Sequence, residues 1–85
     1  MTCRLDVSRE PGRVIVRIHG RLDGAAVREL ERVCREEPGL LILDLTHLMS
    51  ADDAGIATLR HLAVDGAHLT SMSPYVALLL GLEDS

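Results

Sequence analysis

Apolar positions divide the chain into short alternating runs and longer helical ones. Val14, Val16 and Ile18 alternate with Ile15, Arg17 and His19, a two-residue period that predicts a strand over Arg13 to His19. Glu10-Pro11-Gly12 supplies the turn that joins it to an earlier strand over Arg4 to Val7, so the chain opens with a hairpin. Gly20 breaks the second strand, and Asp23-Gly24 precedes AAVRELERVCREE, where Ala26, Val27, Leu30, Val33 and Cys34 recur at helical spacing and Asp23 serves as the cap.

Pro38-Gly39 ends that helix and leads into LLILDL. This run has no polar residue at alternate positions before Asp44 and reads as a central strand buried on both faces. After a loop, a second helix begins near Asp53, continues through Ile56, Leu59, Leu62 and Ala63, and stops at Asp65-Gly66 in the manner of a glycine C-cap. A short strand over Ala67 to Met72 follows. Ser73-Pro74 then starts a third helix with Tyr75, Leu78, Leu79 and Leu82 as its apolar positions. The predicted fold is α/β, a mixed β-sheet with helices packed mainly on one face, in the order β-β-α-β-α-β-α. No repeat, low-complexity segment or linker divides residues 1–85, which read as a single domain.

Composition narrows the functions this fold can carry. At 85 residues the domain has one thin core, burying about 60 to 65% of the surface of its unfolded chain. There is no Phe, no Trp and only one Tyr, so the core is aliphatic and no aromatic platform stacks bases or sugars. The net charge is −4 and all nine basic residues are arginines scattered along the chain, which argues against a nucleic-acid partner. Cys3 and Cys34 form no CxxC motif and read as ordinary thiols. The amino terminus lacks an apolar signal core and no apolar run approaches a membrane-spanning length, so the expectation is a cytoplasmic protein with no direct membrane insertion.

Candidate chemistry is sparse. His19, His47, His61 and His68 show no i, i+3 or i, i+4 pairing, and neither cysteine completes a ligand set, so no metal site is expected. Ser50 lies three residues after His47, but without GxSxG or a glycine-rich cradle it does not read as a nucleophile. No catalytic residues and no cofactor are expected, and the protein reads as a non-enzyme. What stands out is the turn Asp52-Asp53-Ala54-Gly55. Capping of a helix N-terminus explains one aspartate but not two. Gly55, in the first helical turn, costs about 1 kcal/mol relative to alanine and points to close approach of another backbone or of a partner.

Taken in order, these features resemble the STAS domain, found in bacterial anti-sigma factor antagonists and in the cytoplasmic tails of sulfate transporters. Gly20-Arg21-Leu22-Asp23 is similar to the family's Gly-x-Leu-Asp before its first helix, and Leu43-Asp44-Leu45 to its central Leu-Asp-Leu. Eight residues after Asp44, Asp52-Asp53-Ala54-Gly55-Ile56 falls on the family signature Asp-Ser-Ser/Thr-Gly-Leu. Gly66 and Met72-Ser73-Pro74 are similar to the family's fourth strand and the Ser-Pro start of its next helix. The resemblance spans nearly the whole chain.

The resemblance implies a protein-protein interaction module for sigma factor regulation, with an anti-sigma factor of the GHKL kinase type as partner. It places the docking surface on Asp23, on the loop from His47 through Met49 and Ser50 to Ala51, and on Asp52, Asp53 and Gly55. In the classical antagonists the serine after the signature aspartate is phosphorylated by that kinase and releases it. Here the phosphosite-equivalent position is Asp53, followed by Ala54, so this chain is a phosphorylation-site variant. An aspartate charge of −1 only partly imitates phosphoserine at about −1.5 to −2. A second role implied by STAS domains without the serine is that of accessory subunit to an ABC-type membrane transporter, bound to its ATPase. A nucleotide-binding role is disfavoured, because two aspartates would repel phosphates. The chain is also C-terminally short for the family. That leaves the apolar Val76 to Leu82 exposed unless it folds back, and a homodimer or a permanent partner would cover it.

Overall fold

The computed structural model describes residues 3–37 and 39–81. Five strands and three helices follow in the order β1 (Cys3–Glu10), β2 (Arg13–Leu22), α1 (Gly24–Glu36), β3 (Leu40–Asp44), β4 (Leu48–Ala51), α2 (Asp53–Val64), β5 (His68–Thr70) and α3 (Pro74–Leu80). The class is α/β with a mixed sheet. β4 is an addition to the order expected from the sequence, in which Leu48–Ala51 is loop.

β2 has the most neighbours in the sheet. β1 lines one edge as an antiparallel hairpin, from Cys3 opposite Gly20 to Glu10 opposite Arg13. Along the other edge β3 and β4 follow one another, both parallel to β2: Val14 to Arg17 pair with Leu41 to Asp44, and Gly20 to Leu22 with Leu48 to Ala51. The register slips between Gly20 and Arg21, so Met49 is an extra residue on the β4 side, as in a β-bulge. β5 completes the sheet on the far edge of β3.

The alternation of β2 sorts its side chains cleanly. Val14, Val16, Ile18 and Leu22 join Leu43, Leu45 and Leu48 in a single core with Val27 and Leu30 of α1, Leu59 of α2, and Val76 and Leu80 of α3. The other side of the sheet carries Asp6, Arg17, Asp44 and Thr70 in one cross-strand row and Ser8, Ile15, Ile42 and His68 in the next. A two-layer arrangement accounts for the extents of 36 × 30 × 19 Å. It also corrects the reading of β3: helices cover only one of its faces, and Ile42 is half-buried beside Ile15 on the other.

Two helices turn differently from their sequence pattern. In α3, capped by Ser73 with proline at its first turn, the buried positions are Val76 and Leu80, whereas Tyr75 and Leu78 are 54% and 61% exposed. The apolar carboxy-terminal run therefore folds back onto the core through its i, i+4 pair. Leu82 lies outside the described residues. In α2 the most buried positions are Gly55, Thr58 and Leu59, while Ile56 and Leu62 are half-buried.

Candidate functional site

The ends of two parallel strands assemble the acidic turn. Leu22, the last residue of β2, stands opposite Ala51, the last of β4, and its carbonyl accepts the Asp52 N–H at 3.1 Å. The next residue on each strand is an aspartate with extended backbone that caps a helix. Asp23 accepts from the Ala26 N–H at 3.0 Å, and Asp52 accepts from the Gly55 N–H at 2.8 Å. Helices α1 and α2 thus start side by side, with the positive ends of both dipoles at one edge of the molecule.

Gly55 locks this arrangement. A Cβ there would run into the backbone oxygen of Leu22 and press on the Leu22 and Ala51 side chains. The close approach inferred for this glycine is to the chain's own backbone. Asp53, in the first turn of α2, is exposed, and among the described residues its carboxylate makes no hydrogen bond or ion pair. Two of the three turn carboxylates are therefore engaged in capping, and Asp53 alone presents an uncommitted charge.

The remaining candidates separate. Met49, pushed out by the bulge, is 77% exposed, and Ser50 stands opposite the exposed Arg21. His47 does not join the acidic turn: its carbonyl accepts the Gly20 N–H at 3.0 Å, and its ring stacks on His19 with centroids 5.0 Å apart and planes 11° from parallel. His19 Nε2 lies 3.1 Å from an Asp6 carboxylate oxygen, close enough for a charge pair, yet it is buried and makes no hydrogen bond, so the atoms are near but poorly aligned. No spacing rule links His19 to His47; only the strand register brings them together.

Asp44 closes β3 by accepting the Thr46 hydroxyl at 2.5 Å and the Thr46 N–H at 3.0 Å, which turns the chain toward β4. Those two bonds, the hydroxyl first, hold its carboxyl below its ordinary value, with Arg17 and His47 adding to the effect. Burial raises the Cys3 and Cys34 thiols above theirs, assisted by Asp23 and Glu31 respectively, which disfavours nucleophilic thiolates. Among the described residues Ser50 and His47 are not hydrogen-bonded to each other, and no group of three His, Cys, Asp or Glu side chains is gathered as a metal site.

The turn presents one exposed, unengaged carboxylate, Asp53, beside two capping aspartates. A preset acidic turn with an exposed methionine beside it suits a protein surface with a basic or donor-rich patch. No protein-family model matches the chain, and no curated protein matches its sequence.

Proposed function

We propose that this chain is a non-enzymatic STAS-type interaction module that docks an anti-sigma factor of the GHKL kinase type through its acidic turn. The observation that carries the reading is the state of Asp53: exposed, unengaged, and mounted on a turn whose other aspartates are fixed as caps. That position corresponds to the switch serine in the resemblance drawn above. A permanent carboxylate there supports binding that the kinase does not toggle. The route from β4 into α2 supports the same reading, because it brings the exposed Met49 and Asp53 to the surface four residues apart, with the half-buried Ser50 between them.

The test is titration calorimetry of the chain against GHKL-type anti-sigma kinases encoded near its gene, with Asp53→Ala and Asp53→Ser compared with wild type. Binding by wild type and at least a tenfold change with Asp53→Ala is expected, about 1.4 kcal/mol. Kinase and ATP should add one phosphate to Asp53→Ser and none to wild type. Tighter binding by Asp53→Ala would mark the charge as imitating the phosphorylated state, and weaker binding as a direct contact. Equal affinity of all three proteins would remove Asp53 from the interface.

A further inference from the structure

We propose that the outer edge of β1 pairs with β1 of a second copy, joining two sheets antiparallel about a twofold axis through Val7. β1 ends the strand path, so among the described residues nothing pairs with its outer edge along Cys3–Glu10. An unpaired edge of this length is a template for another strand. Beside it a groove of about 700 Å³ runs between β1 and α1, lined by Cys3, Arg4, Leu5, Asp23, Ala26 and Glu29 among others. Leu5, which lines it, and Val7 are both half-buried on β1.

The sequence of β1 selects the second copy as occupant. With Val7 on the axis, Arg4 of each copy stands opposite Glu10 of the other on the helix-free face, and Asp6 opposite Ser8. On the helix-bearing face Arg9 of the second copy, held in its own chain by Glu37 at 2.8 Å, comes opposite Leu5. Sliding the pair so that Asp6 lies on the axis sets Asp6 against itself, and sliding it the other way sets Asp6 against Glu10. Both place like charges directly opposite, which destabilises a sheet. Centring on Leu5 pairs only residues 3–7 rather than 4–10. Registers between these set the helix-bearing face of one copy beside the helix-free face of the other. Within one chain Arg4 is paired with Asp6 at 3.2 Å and Glu10 with Arg13 at 2.6 Å, both in solvent, so exchange for partners across the edge costs little. The contact is smaller than a standard interface, and a dissociation constant of about 10 µM to 1 mM is expected.

Two measurements test the register. Sedimentation equilibrium over that concentration range should show a monomer–dimer equilibrium. Arg4→Glu should weaken it at least tenfold, and Arg4→Glu combined with Glu10→Arg should restore it. Both positions are exposed, so the fold tolerates the exchange. In a background with Cys3→Ser and Cys34→Ser, Val7→Cys should form an oxidised dimer, while Ile15→Cys, on β2, should not. A monomer up to 1 mM, as would follow if this edge served a strand of another protein, overturns the proposal. So does a charge exchange that fails to restore the dimer, or cross-linking at residue 7 no greater than at residue 15.

Discussion

The backbone oxygen of Leu22 occupies the space that a side chain on Gly55 would need, and the same oxygen accepts the N–H of Asp52. One carbonyl at the end of β2 thereby sets both the start of α2 and its distance from the sheet. Any enlargement at residue 55 pushes directly on the acidic turn.

Gly55→Ala is therefore expected to destabilise the protein even though alanine favours a helix. The intrinsic gain is about 1 kcal/mol, whereas forcing atoms into a packed contact costs about 1–3 kcal/mol or more, and here the opposing group is backbone. The net loss should lower the thermal midpoint by several degrees, at about 4–8 °C per kcal/mol for a domain of this size. Gly24→Ala is the control: nothing lies within 4 Å of a Cβ there, and stability should hold or rise by up to about 1 kcal/mol.

The two aspartates of the turn should separate in urea unfolding. Asp52→Ala removes the α2 cap and should cost about 0.5–2 kcal/mol, and Asp52→Asn, which retains an acceptor, should recover most of it. Asp53→Ala loses only a favourable charge near the helix dipole, about 0.3–1 kcal/mol. A larger loss at Asp53 than at Asp52 would contradict the division of labour between cap and contact.

Acid sensitivity should contain a component from Asp44. Its folded carboxyl titrates below its ordinary value, chiefly because of the Thr46 hydroxyl and N–H. The stability it confers is thus fully present above the ordinary carboxylate range, about pH 4, and is lost as pH falls through the depressed folded value. Asp44→Asn should be less stable than wild type near neutrality, with the difference shrinking below pH 4. Thr46→Val should do the same in part, since the N–H bond remains. Denaturant midpoints measured from pH 7 down to pH 2.5 check this, and a constant gap across the range would disprove it.

His19→Phe should be neutral or stabilising by up to about 1 kcal/mol at pH 8. It keeps a ring against His47 while deleting a buried nitrogen that makes no hydrogen bond. A loss above 1 kcal/mol would show that the nitrogen is paired through Asp6 after all.

Local chemistry made some of this structure readable in advance. Asp23, Asp52 and Ser73 announce their helices because a side-chain acceptor at that position satisfies a helix N–H, and each does so here. Strand β4 carried no such signal. Leu48-Met49-Ser50-Ala51 has no clean alternation, and it is extended because the upper edge of β2 offers hydrogen bonds to whatever follows β3. The inward face of α3 is not legible in the sequence, because Leu78 and Leu79 are as apolar as Val76 and Leu80, and only the placement of α2 and β4 decides which pair turns inward. At the acidic turn the residue types were legible but their division was not. Nothing in the order Asp-Asp states which carboxylate faces its own backbone and which faces outward.

Because β3 and β4 share one edge of β2, the exposed turn is an extension of the strand that organises the core. If it docks a partner as proposed, its shape is already set, and little conformational entropy is lost on contact. Association at this surface should proceed as the meeting of two rigid bodies, its speed governed by long-range charge and its lifetime by fit. The hydrogen bonds that fold the sheet thereby also fix the position of the acidic turn.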